Sequence, residues 1–280
     1  NGKGGDMILS IGSGTKFDGG DIYMKSGDTT ASTKDSGAIS MIGGYATSTT
    51  KAVGGEIVYH GGRGSSYTGG VFSLSSGIGT GTSSGAVIMK TVNSGESGIS
   101  GKLSFTSGTT SDGASGSIEI YTGDATNGEG GDILISLGKS SSHFGGDIRM
   151  IMGNSKPLTG GSLSLQSGEG TYTTSGAIVL STGKSKTDFG GDIRLLGGDS
   201  EPYTGGAISF GSGEGTKTSS GAIVMSTVNS GTKGVSGMLS FTSGTTSSGS
   251  SGSFTVGTGT ATNGKGGDMI LSIGSGTTYT

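Results

Sequence analysis

Residues 220–231 read SGAIVMSTVNSG, and residues 84–95 read SGAVIMKTVNSG. The stretch NGKGGDMILSIGSGT at the amino terminus likewise returns from Asn263. Within each copy a small residue and Gly precede a short apolar run, and a polar stretch rich in Ser, Thr and Gly follows. Outward from this block, the small-Gly dipeptide begins a new unit at residues 4, 19, 36, 54, 69, 84, 100 and 115, and then at 130, 145, 160, 175, 190, 205, 220, 236, 251 and 266. The starts at 130, 145, 160 and 175 show the common interval, and the units starting at 19 and 36 exceed it slightly. About 18 units in tandem are the signature of a repeat architecture.

Inside a unit the apolar residues alternate with polar ones, as in Leu163-Ser164-Leu165, Ile118-Glu119-Ile120 and Ile208-Ser209-Phe210. Period two predicts a half-buried extended segment. Gly on either side suits tight turns and close backbone approach. One such segment cannot bury its own apolar face, but copies stacked on one another can. The expectation is therefore an all-β fold, a β-solenoid (β-helix) of about 18 units of about 15 residues that forms a single uncapped repeat domain over residues 1–280. Because the first and last units carry the same motif, the chain is expected to be a segment of a longer solenoid or filament.

A longer period lies over the first. The residue between the two inward aliphatics is itself apolar at Ile88, Leu134, Val179, Val224 and Ile270, at intervals of 46, 45, 45 and 46. Units of this class also end on large apolar residues, Ile99, Phe144, Phe189 and Val235. Segments apolar on both faces need a second cover. Three units could make one 45-residue turn, a 15-residue coil could carry an apolar spot on every third turn, or a three-unit block could have been duplicated. The phase slips in the first five units, which favours the 15-residue coil. Ile88, Leu134, Val179, Val224, Ile270, Phe144 and Phe189 are the lateral-contact candidates.

Composition bounds the function. Gly makes up 65 of 280 residues, hydrophobic residues 29%, and Cys is absent, which excludes disulfides and thiolate metal sites. A net charge of −3 lacks the basic face that nucleic-acid binding requires. No apolar run reaches membrane-spanning length. His60 and His143 are the only histidines, far apart and without a repeated carboxylate or Ser partner, so a triad or zinc site has no pattern behind it. The Gly-x-Gly strings lack the strand-to-helix context of a dinucleotide loop. No enzymatic activity and no cofactor are expected.

Calcium is the one cofactor with a motif. GKGGDMI from Gly2 and Gly264 and GEGGDIL from Gly128 fit the G-x-G-x-D-x-aliphatic core of calcium-binding β-rolls. In stacked coils Asp132 would lie over Asp147, and Asp6 over Asp21, close enough to share a hard cation. The motif does not recur at nine-residue spacing, however, and solvated aspartates beside a turn are the favoured reading. Ice binding is the other rival, because Thr126, Thr171, Thr216, Thr262 and Thr277 recur late in the unit. The same position holds Lys156, Lys186 and Glu201, which breaks a uniform threonine array.

The strings SGMLSFTSGTTSSGSSGS from Ser236 and GTATNGKGGD from Gly259 resemble the very long glycine-rich tandem-repeat proteins of diatoms and other stramenopile microalgae. That resemblance implies an extracellular or cell-surface location and a structural or adhesive role. It brings no catalytic residues. Taken together, the sequence predicts a non-catalytic fibre, filament or matrix protein that self-associates end to end or laterally. Glycans are possible partners through a Ser/Thr-rich surface, although no Asn begins an N-x-[ST] sequon.

Overall fold

The structure is a computed structural model of the 280-residue chain. It describes residues 5–16, 18–47, 52–95, 98–141, 144–156, 159–201 and 203–276. They belong to two compact units, Asn1–Ser136 and Leu137–Thr280.

The repeat is visible as a recurring bend. Bends occupy residues 65–67, 80–82, 111–113, 126–128, 171–173, 186–188, 216–218, 232–234, 247–249 and 262–264, all in the polar half of their units, with extended chain between them. Their mouths are formed by the glycines on either side. At six mouths a Gly amide donates to the preceding Gly carbonyl across a loop of constant length: Gly70 to Gly62, Gly85 to Gly77, Gly161 to Gly153, Gly176 to Gly168, Gly206 to Gly198 and Gly221 to Gly213, at 2.8–3.0 Å. Two longer loops close in the same way, Gly37 on Gly27 and Gly55 on Gly44. These belong to the two long units, those starting at 19 and 36, so the surplus chain is held entirely between the paired glycines.

The β-solenoid does not form. Among the described residues there is no helix and no β-strand, and the extended segments run as coil. Neither a 15-residue nor a 45-residue coil is present, and β-solenoid and β-helix are both incorrect descriptions of this chain. The geometry at the bend mouths supplies the reason. A methyl group added to Gly61 would run into the carbonyl oxygen of Gly70, and one added to Gly197 into that of Gly206. Side-chain positions there point across the gap between consecutive segments. Beyond the mouth the gap is filled by side chains, with the Tyr59 and Phe72 rings 6.0 Å apart and Phe241 and Phe254 6.4 Å apart. Among the described residues no further backbone bond follows the one at each of these mouths. The period-two pattern predicts a half-buried extended strand, but among the described residues no strand forms and none of these side chains is buried.

Packing is correspondingly thin. No described residue is buried. The accessible surface is 28,900 Å², against about 11,000 Å² for a folded chain of this mass and about 39,000 Å² for an unfolded one. No helix among the described residues is long and apolar enough to cross a membrane.

Candidate self-association surface

At four of the third-unit segments the apolar residues alternate between two environments. At the first four third-unit positions the flanking aliphatics, Val87 and Met89, Ile133 and Ile135, Ile178 and Leu180, Ile223 and Met225, are 47–66% exposed. The central residues Ile88, Leu134, Val179, Val224 and Ile270 stand clear at 77–86%. At the fifth position Leu271 is also fully open to solvent. A chain in water rarely leaves aliphatic groups in such an array without covering them. Small residues flank Val179 (Ala177 and Ser181) and Val224 (Ala222 and Ser226), whereas Lys90 follows Ile88 by two residues and Asp132 and Asp268 precede Leu134 and Ile270 by two. Little on the same face shields Val179 and Val224 from an approaching surface.

Phe144 and Phe189 are exposed as well, but they lie beside the bends and not on the extended segments. The Phe189 amide donates to the Asp188 carboxylate at 2.8 Å, and the Asp188 amide donates to the Ser185 hydroxyl at 2.9 Å. This local capping holds the Phe189 ring at the edge of its bend. The seven lateral-contact candidates thus fall into two sets, five on segment faces and two at bend edges. Sequence spacing alone did not separate them, because both sets share the 45-residue interval.

The polar candidates are spread out. Asp6, Asp21, Asp132 and Asp147 are all exposed, and no cluster of three or more His, Asp or Glu side chains able to hold a metal ion occurs among the described residues. In the copy of the glycine-aspartate motif near the carboxyl end, Asp268 accepts from the Lys265 ammonium at 3.0 Å, so the motif's own lysine occupies the carboxylate. A similar exposed pair joins Arg194 to Asp192 at 3.0 Å, and another joins Lys25 to Asp28. Such pairs contribute little to stability in water. Thr126, Thr171, Thr216 and Thr262 each open a bend, as does Lys186, and Lys156 and Glu201 are bend residues. His60 is exposed, and His143 and Thr277 lie outside the described residues.

Sequence reasoning did not single out Tyr59. Its hydroxyl donates to the Met41 sulfur at 3.4 Å while its ring meets Phe72, so one side chain bridges the segments before and after its own. The aromatic residue in the second inward position of the unit was the available signal. No family model, curated protein or solved structure matches the chain.

Proposed function

We propose that this chain is a non-catalytic structural element of an extracellular fibre or matrix, and that it works by associating with further copies of itself at its outward apolar residues. The observation that carries the reading is the contrast between the half-covered flanking aliphatics and the open central ones at Ile88, Leu134, Val179, Val224 and Ile270. Each site is small and weak by itself. Five in tandem act together, because once one contact is made the others form at high effective concentration. The scattered charges of the intervening segments keep the chain soluble and limit indiscriminate edge contact.

Light scattering of the 280-residue chain over a range of concentrations tests this. The expected result is concentration-dependent assembly, abolished when Leu134, Val179 and Val224 are all replaced by Lys. A chain that stays monomeric throughout, or a triple variant that assembles as before, would overturn it.

A further inference from the structure

The intervals between the five open residues, 46, 45, 45 and 46, read the same in both directions. Building on the proposed self-association, we infer that the partner is a second copy laid antiparallel, with Val179 meeting the partner's Val179. In that register Ile88 faces the partner's Ile270, Leu134 faces the partner's Val224, and the reciprocal contacts complete a two-fold interface. Each of these four contacts joins one compact unit to the opposite unit of the other copy. The register therefore requires only that the local repeat be equal in both. It is equal: each of the longer intervals contains one unit lengthened by a single residue, starting at Ser84 and at Ser220.

Charge selects this arrangement over the alternatives. The central residues of the intervening segments include Glu119, Arg149 and Arg194. Antiparallel, Arg149 faces Ser209, Arg194 faces Ser164 and Glu119 faces Leu239, so no like charges oppose. Two residues beyond Ile88, Lys90 faces the partner's Asp268, which lies two residues before Ile270 and is paired at 3.0 Å with Lys265 of its own chain, so Lys90 joins or displaces that lysine, and symmetry makes this opposite-charge contact twice. A parallel copy in register sets Arg149, Arg194 and Lys90 each against itself. A parallel copy displaced by three units sets Arg149 against Arg194. Displacement by six units avoids those clashes but aligns only three of the five sites. Like-charge juxtaposition of this kind suppresses wrong registers. Area is not limiting, since a stable interface removes about 1,600 Å² from a chain that exposes 28,900 Å².

The absence of cysteine from the chain makes the register directly readable. Chains carrying Ile88→Cys are mixed with chains carrying Ile270→Cys, oxidised, and separated without reductant. The mixed disulfide dimer is expected to exceed the Ile88→Cys homodimer by about tenfold. Homodimers as abundant as the mixed species would show a parallel register and overturn the antiparallel one. A mixture that scatters light as an assembly yet forms no mixed dimer would overturn the register while leaving self-association standing. A monomer at every concentration would remove both. As a second measurement, Lys90→Glu is expected to weaken association about fivefold, and adding Asp268→Lys in the same chain to restore it. Lack of restoration would count against the pairing.

Discussion

The Gly70 amide donates to the Gly62 carbonyl at 2.8 Å across the bend, and the Gly206 amide repeats the bond to Gly198 at the same length. Both bends have Gly-Gly on each side, as does the longer one that joins Gly55 to Gly44 at 2.8 Å. Where a side chain precedes the acceptor glycine, as at Ser26, Ser76, Met152, Ser167 and Ser212, the bond lengthens to 2.9–3.0 Å. Where that residue is Thr122, Thr182 or Thr258, no such bond closes the bend among the described residues. A methyl on Gly191 would lie 3.2 Å from the Thr182 Cβ, but one on Gly176, where the bond does form, would lie 3.3 Å from the Ser167 Cβ. Gly116 and Gly252 also lack the bond although Ser107 and Ser243 stand at that position, so the residue before the acceptor does not by itself decide whether the mouth closes.

Gly197 and Gly198 separate crowding from backbone freedom. Gly197→Ala places a methyl against the Gly206 carbonyl, whereas a methyl on Gly198 meets nothing within 4 Å. Forcing a methyl into a filled contact costs about 1–3 kcal/mol. Hydrogen exchange of the Gly206 amide is expected to accelerate at least about tenfold in Gly197→Ala, with little change in Gly198→Ala. Equal rates in the two variants would show that the mouth is not closed by direct contact.

Gly113 and Gly249 hold φ of 106° and 112° in equivalent bends. In each bend the hydroxyl of a preceding Thr reaches forward to the backbone: Thr110 donates to the Asp112 carbonyl at 2.8 Å, and Thr246 to the Ser248 carbonyl at 3.0 Å. An L side chain is strained at such φ values by about 1–3 kcal/mol. Gly249→Ala should therefore rearrange its bend, seen as a loss of the Thr246 to Ser248 contact in NMR spectra. Gly244→Ala, in open space without positive φ, should leave the spectrum in place.

The loops from Gly27 to Gly37 and from Gly44 to Gly55 close like the shorter common ones, which predicts tolerance to added length. Inserting Gly-Ser after Thr173 should keep the Gly176 to Gly168 bond and the exposure of Val179. Exchange of the Gly176 amide and self-association measured by light scattering would both be unchanged within about twofold, in line with the slow growth of loop-closure cost. The same dipeptide inserted after Leu165 would displace every side chain beyond it from its facing partner, and association should fall.

The Phe241 and Phe254 rings face each other across a bend at 6.4 Å with an interplanar angle of 21°. Phe254→Ala removes that contact, worth about 0.5–1.5 kcal/mol beyond buried area. Greater exchange of the amides from Ser243 to Gly252 is expected. Phe254→Leu should retain a large part of the protection, since it keeps the apolar contact.

The sequence carried the unit length, the polar location of the bends and the two faces of each segment, because these are set by residues close together in the chain. The ladder was not legible. Alternation at Leu163-Ser164-Leu165 tells which side chains share a face, but the pattern is the same whether the neighbouring segment pairs through its amides or meets those side chains head on. Glycine had two available roles, and the pattern did not distinguish them. Gly191 has no left-handed backbone and serves by leaving room for Thr182, whereas Gly113 and Gly249 use the freedom of φ. In the candidate surface, the outward class of Ile88 and Val179 was readable from its interval, but the position of Phe144 and Phe189 beside bends required three-dimensional structure.

Because surplus residues are confined between paired glycines, the coding repeat behind this chain can drift in length without cost to what it presents. Slippage during replication that adds or drops a few codons in the Ser/Thr half of a unit leaves the apolar faces where they were. A polymer of this kind can lengthen or shorten over generations while every surviving copy still fits its neighbours.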